Sequence, residues 1–167
     1  MRRSFFTEEV REEAYRVAGL ASGKTAADIG SGTGFITEGL LEKGLKVIAV
    51  DQSPAMLEEL RSAMGSPSLD CRQGEAESLP IDDGSVDYAF ANMFLHHVGS
   101  PPVAIEEMVR ILKPGGVLVI TDMDEHDFDL LLTEQHDRWA GFARDDIREW
   151  FLGAGLLEVE VGSVGST

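Results

Sequence analysis

The fold class this sequence predicts is α/β, an open and mostly parallel sheet with helices on both faces, and two observations carry it. Short apolar segments recur at intervals of roughly 20 residues with helical patterns between them, the signature of alternating βα units. The first of these segments runs straight into glycines at alternate positions and then into a helical pattern. Parallel neighbours need crossover connections, and helices supply them.

Taken in order, the chain opens on a helical pattern over Glu8–Gly19, and Thr25–Ile29 reads as the first strand. A helix over Ile36–Lys43 leads to a second strand, Lys46–Val50. Ser53 as N-cap and Pro54 as first-turn proline start a helix over Pro54–Met64. Leu69–Gln73 is the third strand, and Cys71 within its alternation reads as a small buried residue. Val86–Ala91 is the fourth, followed by a helix over Val103–Leu112 that Lys113-Pro114-Gly115-Gly116 should stop before a fifth strand, Gly116–Thr121. Helices over Asp129–Trp139 and Asp145–Leu152, a stop at Gly153 to Gly155 and a last strand, Leu156–Val161, complete the pattern. There is no internal repeat, low-complexity tract or dividing linker, and 167 residues suit one domain.

Charge narrows the partners. Lys plus Arg number 14 against 30 Asp plus Glu, a formal net charge of −16, so free nucleic acid is a poor partner. The one basic cluster, at Arg2 and Arg3, is too short to line a groove. Apolar runs such as Val117–Ile120 are far shorter than a membrane span, and the first twenty residues carry Glu where a signal peptide is apolar, so no membrane and a cytoplasmic location are expected. The single cysteine excludes an internal disulfide and a thiol-based zinc site.

In open parallel sheets ligands bind beyond the carboxyl ends of the strands. The first such turn reads Asp28-Ile29-Gly30-Ser31-Gly32-Thr33-Gly34, with glycines where backbone must turn sharply and approach a ligand. The dinucleotide pattern G-x-G-x-x-G fails here, because the third glycine falls one residue early, at Gly34, and Phe35 follows. Asp51, at the end of the second strand, is placed to accept two hydrogen bonds from a ribose diol, so a nucleoside-containing cofactor is expected. No P-loop lysine follows the glycines to pair with a triphosphate. A nicotinamide-dependent oxidoreductase stays open as an alternative, since Gly30 to Asp51 alone would also suit NAD.

These stretches, with Val50-Asp51-Gln52-Ser53-Pro54, Gly74-Glu75-Ala76-Glu77-Ser78-Leu79-Pro80, Val86-Asp87-Tyr88 to His96-His97-Val98 and Leu112-Lys113-Pro114-Gly115-Gly116, resemble the class I S-adenosylmethionine-dependent methyltransferases. The order is most similar to the small-molecule branch that includes the ubiquinone and menaquinone biosynthesis enzymes. The resemblance implies a Rossmann-like three-layer sandwich divided into an N-terminal helix and lid (1–22), a cofactor-binding core (23–122) and an acceptor-side segment with the last strand (123–167). It further implies S-adenosyl-L-methionine as cofactor, with Asp28, Gly30, Ser31, Gly32 and Gly34 at its methionine end and Asp51 on the ribose. Gln52 would flank the adenosine, Glu75 contact the adenine amine, Ala76 offer a backbone amide to the ring, and Asn92 lie beside the cofactor.

The implied reaction is direct in-line methyl transfer to a small-molecule acceptor, in which the protein aligns the nucleophile and excludes water. A general base is needed only for an acceptor protonated at neutral pH. His97 is the first choice for it, ahead of His96, His126 and His136, with a turn-capping role as its alternative. Asp122-Met123-Asp124-Glu125-His126-Asp127 matches no metal-ligand spacing and reads as a solvated acidic loop. Trp139, Phe142, Trp150 and Phe151 read mostly as core, with one or two at the acceptor site. The resemblance also implies a seventh strand antiparallel beside the fifth, for which little sequence follows Val161. An open edge there would admit a partner chain or a second copy, so a cofactor-binding subunit dependent on a partner is a further expectation. The short segment before Thr25 suggests a small or open acceptor pocket.

Overall fold

The computed structural model describes residues 8–92 and 98–121. Its strands are β1 (Thr25–Ile29), β2 (Lys46–Asp51), β3 (Leu69–Gln73), β4 (Val86–Asn92) and β5 (Leu112–Thr121), and its helices are α1 (Glu8–Ala18), α2 (Phe35–Glu42), α3 (Pro54–Met64) and α4 (Pro101–Arg110). The strands form one sheet in the order β3-β2-β1-β4-β5, with every neighbouring pair parallel. The chain steps outward from β1 to β3 and then returns to lay β4 on the other flank of β1. The strand order therefore reverses at β1, where such a sheet opens a crevice at its carboxyl edge.

The two-residue period of the strands divides their side chains between two cores. Ala26, Val47, Tyr88 and Phe90 pack with Ala14, Tyr15 and Ala18 of α1 and with Ile36 and Leu40 of α2. Their sequence neighbours Ala27, Ile48, Ala89 and Ala91 face the other way, against Ala104, Ile105 and Met108 of α4 and Leu79 and Ile81 of the connection after β3. Both faces of the sheet are thus covered, as a parallel sheet requires. On the α1 side the Tyr15 ring meets the Phe90 ring edge-on at 5.8 Å, and its hydroxyl donates to the Ile36 carbonyl at 2.7 Å. That bond gives a buried polar tip its partner and ties α1 to the start of α2.

α3 starts as its sequence dictates: the Ser53 side chain accepts from the Met56 N–H at 3.2 Å, and Pro54 occupies the first turn. The Lys113 to Gly116 stretch differs from expectation. α4 begins two residues before Val103 and ends at Arg110, and β5 starts at Leu112 instead of Gly116. While β4 advances from Val86 to Tyr88, β5 advances from Leu112 to Val117, so the Pro-Gly-Gly stretch is absorbed as a bulge inside the strand. Proline lacks the ladder donor and such a strand admits it only at an irregularity. Cys71 also departs from expectation, being half-buried, because β3 pairs only with β2 among the described residues.

Among the described residues no helix is long and apolar enough to cross a membrane. The expected elements Asp129–Trp139, Asp145–Leu152 and Leu156–Val161, and with them the pairing of any last strand beside β5, lie outside the described residues.

Candidate functional site

The turn after β1 is held by its neighbour. The Gly30 and Ser31 N–H groups both donate to the Val50 carbonyl, at 2.8 and 3.1 Å, which folds the loop over the end of β2. Gly34 then caps α2 at φ 93°, and a Cβ there would collide with Leu60 Cδ1 of α3. The third glycine therefore serves packing. Gly32 is different: at φ 54°, a Cβ on it would have the Gly30 carbonyl oxygen, at 4.0 Å, as its nearest neighbour. The space a side chain would fill is open. Beside it the Ser31 hydroxyl is buried and has no hydrogen-bond partner among the described residues.

Asp51 closes this loop from below. Its Oδ2 accepts from the Gly32 N–H at 2.9 Å and its Oδ1 from the Ser53 N–H at 3.0 Å. An ionised carboxylate has about four acceptor positions, so each oxygen keeps one for a second donor. Two adjacent hydroxyls are the matching group. Gln52 is exposed at the same rim, and its carbonyl accepts from Gln73 Nε2 at 3.2 Å.

Asp28 sits within β1, 2% exposed, with Oδ2 accepting from the Thr37 hydroxyl of α2 at 2.7 Å. Burial pushes its carboxyl up to about 6, opposed by the hydrogen bonds from Thr37 and reinforced by the nearby Asp51 charge. Sequence reasoning missed Thr37, although a hydroxyl one turn past a glycine loop, facing an acidic strand residue, is a legible signal.

The connection after β3 forms the opposite rim. The Gly74 N–H donates to the Asp51 carbonyl at 3.0 Å, so this loop starts from the residue that braces the first one. Glu75 is exposed, and its carbonyl accepts from the Ser78 N–H at 3.1 Å. Ala76 is buried in the core, which leaves its backbone as its polar offering. Asn92 is the last residue of β4 and pairs with Thr121, while its side chain is outside the described residues. His96, His97, His126 and His136, the acidic run from Asp122 and the aromatic residues from Trp139 onward also lie outside them. Within the described residues no three His, Cys, Asp or Glu side chains gather to hold a metal ion.

The structure thus brings Ser31, Gly32, Asp51, Gln52 and Glu75 to the carboxyl edge of β1, β2 and β3. Among the described residues, a buried hydroxyl without a partner, an unfilled space over a glycine and a carboxylate with acceptor positions to spare suit a nucleoside ligand with a polar tail.

Comparison with known proteins gives the family of the chain. Residues 27–120 match the family model for a methyltransferase domain. An uncharacterized methyltransferase of Mycobacterium tuberculosis is 44% identical over 98 residues, which cover 59% of this chain and 39% of that protein. A demethylmenaquinone methyltransferase of Renibacterium salmoninarum is 33% identical over 122 residues, 73% of this chain and 51% of that protein. This chain therefore spans about two-fifths to half the length of these relatives. Among solved structures, the methyltransferase in a complex with the Trm112 methyltransferase activator of Haloferax volcanii superposes with a TM-score of 0.85 at 28% identity, covering 97% of this chain and 73% of that one.

Proposed function

The chain belongs to the methyltransferase domain family, and from that premise we propose that it binds S-adenosylmethionine and transfers its methyl group to a small-molecule acceptor. The observation that carries this reading is the Asp51 carboxylate, tied to the Gly32 N–H yet keeping an acceptor position on each oxygen. In this reading Asp51 takes the ribose hydroxyls. Gly30, Ser31 and Gly32 shape the seat of the methionine end, Gly34 closes it by packing on α3, and the Ser31 hydroxyl gains there the partner it lacks among the described residues. Asp28 acts on the same seat from beneath, through Thr37 and the first turn of α2. Gln52 flanks the adenosine, Glu75 accepts from the adenine amine, the Ala76 backbone meets the ring, and Asn92 lies beside the cofactor at the end of β4.

The bound sulfonium supplies an already activated leaving group. What the chain contributes is alignment of the acceptor nucleophile and exclusion of water. His97 is assigned the proton of an acceptor that is protonated at neutral pH. The quinone-related relative supports a small acceptor. The division into an N-terminal lid (1–22), a core (23–122) and an acceptor-side segment (123–167) belongs to the same proposal.

Calorimetric titration with S-adenosylmethionine, S-adenosylhomocysteine and NAD tests it. Saturable binding of the first two and none of NAD is expected, whereas preferential NAD binding would replace the methyltransferase with an oxidoreductase. A second reading, a cofactor-binding subunit that needs a partner, is favoured by the likeness to a methyltransferase solved with its activator. Turnover of a small acceptor by the purified chain alone would remove that reading.

A further inference from the structure

Two charged side chains of α4 take over the backbone of the loop after β3. Leu79 lies in that loop, 6% exposed and outside the ladder of the sheet, so its peptide groups need other partners. Glu107 Oε1 accepts from the Leu79 N–H at 2.8 Å, and Arg110 Nη2 donates to the Leu79 carbonyl at 3.1 Å. The two side chains are themselves locked together. Arg110 Nε meets Glu107 Oε2 at 2.7 Å and Nη2 meets Oε1 at 3.0 Å, a bidentate pair, while Nη1 reaches Asp83 Oδ1 at 2.6 Å. The arginine hydrogen bonds are also what chiefly hold the Glu107 carboxyl below its ordinary range, so it remains an acceptor.

Further ties act on the same loop. Arg72 Nη1 donates to the Pro80 carbonyl at 2.9 Å, and Glu77 Oε2 accepts from the N–H of Ser100, the cap of α4, at 3.1 Å. The near end of the loop is anchored by Gly74 on the Asp51 carbonyl. The segment from Glu75 to Ser78 is therefore strung between the Asp51 backbone carbonyl and α4. Without the α4 side chains, the buried Leu79 amide and carbonyl would lose their partners and the loop could not keep this path.

The geometry points to Glu107 and Arg110 as positioning residues that fix where Glu75 and Ala76 meet the cofactor's base, and so set the preference for adenine. They touch no ligand themselves. This rests on the reading in which Glu75 accepts from the adenine amine, and the test separates the two.

The probes are S-adenosylhomocysteine and its analogue carrying purine in place of adenine, which lacks only the exocyclic amine. Affinity for each is measured in the wild-type chain, in Glu107→Ala, in Arg110→Lys, which keeps the charge but loses the fork, and in Glu75→Ala. The wild type is expected to favour the adenine form about tenfold or more, the value of one hydrogen bond to a charged group. In Glu107→Ala and Arg110→Lys that ratio should fall below about threefold, whereas a general loss of stability would weaken both ligands alike. A ratio lost in Glu75→Ala but kept in both α4 variants would overturn the positioning role and leave the adenine contact standing. A ratio kept in Glu75→Ala as well would overturn the contact on which the role depends.

Discussion

The two rims of the candidate site are built in opposite ways. The glycine loop after β1 is held by its immediate structural neighbours: two of its amides rest on one β2 carbonyl, a third on Asp51, and Gly34 packs on α3. The loop after β3 is held at a distance, by side chains of α4 and β3 that capture its backbone. A rim made of backbone contacts tolerates almost no added atoms but needs few particular side chains. A rim pinned by side chains tolerates changes in its own sequence and fails when the remote pins are removed.

The largest effect expected on this contrast comes from Gly34→Val. Its positive φ and the collision with Leu60 should together cost about 2–5 kcal/mol of stability, read by denaturant unfolding. A near-neutral result would mean that the α3 contact does not hold the first rim. Next is Asp28→Asn, for which the sign follows from the raised carboxyl. A buried acid held near 6 against 3.8 in the unfolded chain binds its proton more tightly when folded, so stability falls as pH rises between those values. The asparagine variant escapes that penalty and its amide oxygen still accepts from Thr37, so its stability relative to wild type should improve by about 2–3 kcal/mol between pH 4 and pH 7. A pH-independent difference would show that Asp28 is not desolvated.

Asp51→Ala is expected to weaken S-adenosylhomocysteine binding by about 1.5–3 kcal/mol, measured by calorimetry, through loss of hydrogen bonds to a charged group. Unchanged affinity would remove Asp51 from the site. On the second rim, Gly74→Ala would set a Cβ 2.7 Å from Pro80 Cδ and should cost about 1–3 kcal/mol in a thermal melt. The smallest effect on the fold belongs to Gly32→Asn, a residue that tolerates positive φ and meets open space, with a cost of about 1 kcal/mol or less. Its cofactor binding should nonetheless be lost. Retained binding would mean that no ligand approaches Gly32, and the two glycines, separated by one residue, would no longer differ in kind.

Much of this was legible along the chain because the forces are local. Strand alternation, the Ser53-Pro54 start and the glycine turn each depend on residues within a few positions of one another, and β1, β3 and α3 occupy the predicted ranges. The start of β5 differs from its local pattern for the same reason: Lys113 to Gly116 carries the signature of a helix stop, and only pairing with β4 turns it into a bulged strand.

Sequence alone suffices for the βα alternation, the carboxylate that ends β2 and the glycine turn, since turn conformation and hydropathy period are properties of short segments. Tertiary structure alone decided that Gly34 serves α3 while Gly32 faces open space, that Asp28 is buried against Thr37, and that Leu79 is held by Glu107 and Arg110. Each of these depends on which groups lose water together, and that is fixed only when segments distant in the chain are packed against one another.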